Sequence, residues 1–245
     1  MQYKTELHAH TSEVSTCADF TAPEVAERYI AAGYTTLVLT NHFTSKIIKP
    51  MGADWERKID YFVAPYRHMK EYAKGRLNVL LGCELFLDES AEEYLRLGRN
   101  EYLLYGPVEE FLRANPDLQQ RKLKELLPLA HEWGVLVIQA HPFRSGTQIV
   151  NPDRVDGYEV FNAHPKQDAR NHQALAWARL HGKIMTSGSD FHHPYSPEAG
   201  GILTDAPVTD SVQLTDLLRS GNYTLLCGGP AAERDGMSDM PATQK

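Results

Sequence analysis

The chain has 245 residues, 42% of them hydrophobic and 23% charged, with a formal net charge of −7. This is the make-up of an ordinary folded protein long enough to bury a substantial core. The bulk charge offers no basic surface for a nonspecific grip on nucleic acid, though a local basic patch is still open to it. No apolar run approaches the roughly 20 residues that span a bilayer. The opening Met1-Gln2-Tyr3-Lys4 lacks the pattern of a signal peptide, so the expected compartment is the cytoplasm. The three cysteines, at 17, 83 and 227, include no Cys-x-x-Cys pair, which argues against a disulfide framework or a zinc knuckle.

The first strand-like run is Tyr3 to His10. A loop covers 11–21. Thr21-Ala22-Pro23-Glu24 then opens a helix to about residue 33, with a capping residue, a first-turn proline and an acid at the positive helix end. Thr35 to Thr40 is β-branched and apolar throughout, as in a strand buried on both faces. A helix at about 55–74 precedes a strand at 77–86. A short strand follows at 101–105, then helices at about 107–114 and 117–133. Val135 to Ala140 and Tyr158 to Phe161 are further strands. They are followed by a helix at about 166–181, a strand at 183–187, a helix at 214–219 and a strand at 223–226. Strands alternating with helices imply a mainly parallel sheet, and about seven such units point to a barrel. No linker divides the chain. One domain is expected over 1–227, with a disordered polar tail over 228–245.

Chemistry-bearing residues fall where these strands end. His8 and His10 alternate on one strand and so share a face. Asn41-His42 follows the second strand, Glu84 lies in the third, His141-Pro142 follows the fourth of the buried strands, and Asp190-Phe191-His192 follows the last. In a parallel barrel the carboxyl ends of the strands open on one rim. Five segments would therefore deliver imidazoles and carboxylates to one place, where zinc, manganese or iron could be held.

The ordered motifs His8-Ala9-His10, Thr40-Asn41-His42, Gly82-Cys83-Glu84, Ala140-His141-Pro142 and Gly188-Ser189-Asp190-Phe191-His192 resemble the PHP (polymerase and histidinol phosphatase) family. That resemblance implies an α/β fold, a distorted (β/α)7 TIM-like barrel in a single domain, with two or three divalent metal ions. It implies that His8, His10, Glu84 and Asp190 hold one ion, that Glu84 bridges to a second on His141, and that His42 and His192 hold a third. One more ligand would come from the loop after His10, where Glu13, Cys17 and Asp19 have suitable donors and Glu13 is favoured. Relatives often carry a further histidine between the Glu84 and His141 positions. None occurs in the strand at 101–105, and His131 sits in a helix.

Arg144 is expected on the same rim as a clamp for phosphate oxygens, with Lys46 in a lesser version of that role. Asn162 and His164 should also reach the rim, and His193 should point elsewhere. His192 or His42 could assist proton transfer when not bound to an ion. The implied activity is metal-dependent hydrolysis of a small phosphomonoester or nucleotide-type substrate by activated water, with Arg144 and His192 in catalytic roles. The alternatives are a nuclease or proofreading exonuclease, a metal hydrolase acting on C–N or lactone bonds, and a noncatalytic metal-binding domain. Loops at 43–54, 87–100 and 143–155 are expected to wall the pocket. Oligomeric state is not legible.

Overall fold

The computed structural model describes residues 2–88, 99–196 and 198–243. The strands are β1 (Tyr3–Ala9), β2 (Tyr34–Leu39), β3 (His42–Phe43), β4 (Asn78–Leu81), β5 (Cys83–Phe86), β6 (Glu101–Tyr105), β7 (Leu136–Gln139), β8 (Gly157–Asn162), β9 (Ile184–Gly188), β10 (Ile202–Thr204), β11 (Thr224–Leu225) and β12 (Met240–Pro241). The α-helices are α1 (Ala22–Ala31), α2 (Ser45–Ile48), α3 (Trp55–Tyr72), α4 (Val108–Ala114), α5 (Leu123–Glu132), α6 (Asn171–Leu180), α7 (Ser211–Ser220) and α8 (Gly229–Asp235). They form a mixed α/β fold in one domain.

Two six-stranded sheets result, in the orders β12-β11-β10-β1-β2-β4 and β3-β5-β6-β7-β8-β9. Their junctions explain the division. The chain passes from β2 to β3 through Thr40-Asn41, and from β4 to β5 through Gly82. Hydrogen bonds from Gly82 N to Leu39 O (2.9 Å) and from Glu84 N to Asn41 O (3.1 Å) carry the pairing across that bend. A Cβ at Gly82 would stand 2.7 Å from Thr40 Cγ2 and 2.8 Å from Val38 Cγ1, so the bend needs glycine. At the other edge Ala9 bridges Phe191 in parallel, with His10 N donating to Phe191 O at 3.1 Å.

The sheets are not uniformly parallel. β6 runs antiparallel to both β5 and β7, so its amino end lies beside the carboxyl ends of its neighbours. β10, β11 and β12 are also antiparallel additions. The tail expected to be disordered is ordered through residue 243. Ala231 and Ala232 of α8 are buried, Met240 pairs with Leu225, and Cys227 N donates to Asp239 Oδ1 at 2.8 Å. Small apolar side chains and local pairing offset a composition that reads as polar. Within the expected pocket-wall loop at 87–100, residues 89–98 lie outside the described residues.

The buried core forms two clusters, the larger between the sheets and α3 and the smaller around α1 and β2. Ile59, Phe62 and Val63 of α3 are fully or almost fully buried, and the Phe62 ring stands 4.9 Å from that of Phe43. Each such side chain contributes roughly 1.5–3 kcal/mol by leaving water. Tyr105 Oη donates to Leu7 O at 3.0 Å, anchoring β6 to β1 directly beneath the histidine pair.

Candidate metal centre

β1 alternates as expected, and His8 and His10 lie on one face with no exposed surface. Glu84 of β5 stands between them. His8 Nε2 is 3.3 Å from Glu84 Oε1, and His10 Nε2 is 3.3 Å from Glu84 Oε2. His141 Nε2 is 3.2 Å from Oε1, and His42 Nε2 is 3.4 Å from Oε2. One carboxylate is thus ringed by four imidazoles. Asp190 Oδ1 completes the floor, 3.5 Å from His8 Nε2 and 3.6 Å from His10 Nε2.

Most of these separations exceed a good N–H···O bond of about 2.7–3.2 Å. They suit donors around a shared ion, because two ligands each about 2.1 Å from a tetrahedral ion stand about 3.4 Å apart. The Nε2 atoms of His8 and His10 are fully buried and make no hydrogen bond, which is costly unless something else engages their lone pairs. Among the described residues, three sets of donor atoms each fall within 4.8 Å of one another: His8, His10 and Glu84; His42, Glu84 and Glu101; and His10, His42 and His192. The donors fit divalent ions.

A second layer fixes the imidazoles. Glu159, fully buried in β8, accepts from His8 Nδ1 at 2.8 Å. That contact places the ring proton on Nδ1 and leaves Nε2 free for a cation. Glu159 also accepts from His141 N at 2.9 Å and Asn162 Nδ2 at 3.0 Å. Ser15 Oγ lies 3.2 Å from Nδ1 of both His10 and His42, and donates to Asn41 Oδ1 at 3.0 Å. Glu6 accepts from His8 N (2.8 Å), Ser189 N (2.9 Å) and Ser189 Oγ (2.5 Å), clamping β1 to the loop that carries Asp190. Gly188 makes room for this layer. A Cβ there would stand 2.3 Å from His8 Cβ and 2.7 Å from Glu159 Oε1.

Two donors sit on unusual backbone, His141 at φ +29° and Asp190 at φ +50°. Non-glycine residues held there cost about 1–3 kcal/mol each and mark places where geometry is imposed.

The electrostatics are those of buried carboxylates ringed by imidazoles. Burial opposes ionisation of Glu84, but His8, His141 and His42 hold its carboxyl well below the usual range. Burial likewise works against Asp190, and Arg144 with His8 outweighs it. His8 is raised well above its ordinary value, because Glu159, Glu84 and Asp190 overcome its burial. His10 is driven well below by burial and by His192 and His42. His192 rises to about 10 despite burial, through Asp190 and Cys17.

Arg144 donates through Nη2 to Asp190 Oδ2 and, at 3.0 Å, to Asn162 Oδ1. It therefore holds Asp190 as well as lining the central cavity. That cavity, of about 350 Å³, is also lined by Cys17, Arg99, Glu101, His164 and His193. Asn162 reaches the site as a bridge between Glu159 and Asp190, donating to Asp190 Oδ2 at 3.2 Å. His164 lines the cavity, held down to about 4 by burial. His193 also reaches the cavity mouth, contrary to expectation, and its Nδ1 pairs with Asp19 Oδ2 at 2.9 Å.

The favoured loop donor is misplaced. Glu13 Oε1 accepts from Ala22 N at 2.8 Å, at the amino end of α1, and its side chain lines a separate surface hollow with Tyr61 and His68. A free helix N–H outcompetes the distant cluster for this carboxylate. Asp19 is engaged with His193. Of the three loop donors, only Cys17 lines the central cavity. His131 is exposed and pairs with Asp156 Oδ1 at 2.8 Å, away from the cluster. Lys46 is exposed and is not among the residues lining the cavity.

Glu101 and Glu159 are the residues sequence reasoning missed. Glu101 escapes a reading of strand carboxyl ends because β6 is reversed and presents its amino end there. The available signal was a single acid opening an otherwise apolar strand. Glu159 carried the same signal in the middle of Tyr158-Glu159-Val160-Phe161, a lone carboxylate in a strand buried on both faces.

The sequence matches no protein-family model and no curated protein. Solved structures share its fold. A two-domain protein from Bacteroides vulgatus, containing a predicted PHP-like metal-dependent phosphoesterase, superposes with a TM-score of 0.62 at 14% identity, over 93% of this chain and 65% of that one. An amidohydrolase from Chromobacterium violaceum, solved with bound sulfate and no metal, gives 0.55 at 15% identity, over 90% and 97%. Endonuclease Q, in complex with a 27-mer duplex bearing an abasic lesion at the active site, gives 0.57 at 15% identity, over 91% and 58%. This chain thus spans under two thirds of the first and third of these proteins. The PHP resemblance read from the motifs is matched by the fold.

Proposed function

We propose that this chain is a PHP-type hydrolase whose cluster holds two or three divalent ions and hydrolyses a small phosphorylated substrate. The two sheets, joined at their bends and by the Ala9–Phe191 bridge, are read as a distorted seven-stranded barrel around the site. The observation that carries the proposal is Glu84, fully buried and within 3.2–3.4 Å of four imidazoles. A carboxylate so placed could serve two cations at once, as two-metal phosphoryl chemistry would require.

His8, His10, Glu84 and Asp190 would hold the first ion, Glu84 and His141 the second, and His42 and His192 the third. Bound there, zinc, manganese or iron would lower the pKa of water to near neutrality and so supply the nucleophile. The protein does the rest. Glu159 holds the His8 proton on the side away from the cluster, and Ser15 positions the His10 and His42 rings. Arg144 fixes Asp190 with one nitrogen, and its remaining N–H groups can neutralise oxygens of a transferring phosphoryl group. His164 accepts from Lys166 N through Nδ1 at 3.3 Å, so its proton sits on Nε2 and can be donated to substrate. His192 is best placed to manage the leaving-group proton when no ion occupies its nitrogen. A cavity of this size and polarity suits a compact anion, and its lining arginines favour phosphate.

The test is turnover of a phosphomonoester panel by protein loaded with manganese, zinc or iron, with single-stranded DNA and an amide substrate assayed beside it. Phosphomonoesterase activity that disappears in Glu84→Ala, together with bound metal, is the expected result. Preferential cleavage of DNA or of the amide would overturn the substrate class. Full activity in Glu84→Ala would overturn the metal centre.

A further inference from the structure

The second ion has too few ligands in the reading above, since Glu84 is shared and His141 stands alone. β6 answers this. Running antiparallel, it pairs Glu101 with Phe86 on one side, while Ala140 N donates to Glu101 O at 2.9 Å on the other. The residue after Ala140 is His141. The ladder therefore brings the Glu101 side chain beside that imidazole, with Oε2 3.4 Å from His141 Nε2. Glu101 also shares a donor set with His42 and Glu84, all within 4.8 Å.

Glu101 and Glu84 are two largely buried carboxylates facing one imidazole. Like charges so close in a dry site repel strongly unless a proton or a cation lies between them. A hydrogen-bonded His–Glu pair would close to about 2.7–3.0 Å. The wider spacing seen here is that of donors around an ion. Independently, the buried Nε2 atoms of His8 and His10, in the adjoining set, have no hydrogen-bond partner among the described residues and offer lone pairs that a cation can take.

We propose that Glu101 is a direct ligand of the second ion, and that with Glu84 it makes that position oxygen-rich and biased toward a hard divalent cation such as manganese. This rests on the metal-centre reading and adds to it a named ligand and a metal preference. Carboxylate ligands favour manganese relative to zinc, and imidazole shifts the balance back.

The experiment is metal titration of chelator-stripped full-length protein, wild type against Glu101→Gln and Glu101→His. Manganese is followed by the EPR signal of the free ion and zinc by competition with a chromophoric chelator. Glutamine matches the shape of a protonated Glu101, and circular dichroism checks the fold of both variants. The expected result is that Glu101→Gln keeps one equivalent of manganese and loses the second by at least about tenfold in affinity. Glu101→His should regain a second equivalent, with a zinc-to-manganese affinity ratio raised by at least about tenfold. An unchanged second equivalent in Glu101→Gln, or an unchanged ratio in Glu101→His, would overturn the assignment. Wild-type protein that binds no ion at all would instead bring down the metal-centre reading itself.

Discussion

The floor of the cluster and its rim are built differently. On the floor, three of the four donors lean on a supporting side chain, although Ser15 also stands 3.2 Å from Nδ1 of the rim's His42. His8 has Glu159, His10 has Ser15, and Asp190 has Arg144 and Asn162. His8, His10, Glu84 and Asp190 are all almost wholly buried. On the rim, His42 and Glu101 keep a small exposed fraction, 15% and 13% of their side chains, and Cys17 is exposed. The floor is almost wholly enclosed and mostly braced by its neighbours, whereas the rim faces the cavity. Supporting contacts of this kind are worth as much as the ligands they orient.

That contrast can be broken first at Glu159. Glu159→Gln keeps the shape but weakens the hold on the His8 proton. Affinity at the first ion position should fall about 10–100-fold in a chelator competition, with the fold intact by circular dichroism. Unchanged affinity would mean that the floor does not depend on its second layer.

The next test separates Glu13 from the rim. Glu13→Ala removes an acceptor from Ala22 N at the start of α1 and should cost about 1 kcal/mol in a denaturant melt. Metal stoichiometry should not change. Loss of one equivalent would return Glu13 to the ligand set.

The smallest effect concerns His164 at the cavity. Its folded value of about 4 lies below the ordinary 6.5, so between these values the unfolded chain binds the extra proton. Its contribution to stability is present above pH 6.5 and is lost as pH falls toward 4. Metal-free His164→Gln should therefore lose less stability than wild type between pH 7 and pH 4.5. Parallel losses would show that this imidazole titrates alike in both states.

The floor was largely legible in the sequence, because period-two alternation puts His8 and His10 together and strand ends announce Glu84 and Asp190. The rim was less so. A strand's direction is set by pairing across the sheet, which no local pattern records, and Glu101 was hidden by it. A loop carboxylate goes to whichever donor the fold brings nearest, and for Glu13 that was a helix end. The order of residues 229–243 was equally invisible, since it depends on an edge strand that only tertiary packing supplies.

The clamp of Glu6 on Ser189 joins positions 183 residues apart. The histidine pair is synthesised long before its neighbouring acid, Asp190. Such high contact order slows folding, since the closing entropy of a long loop precedes the contacts that reward it. During synthesis β1 must wait with one edge unsatisfied, and a nascent chain stalled before the Asp190 codon carries the earlier donors but lacks Asp190 and His192.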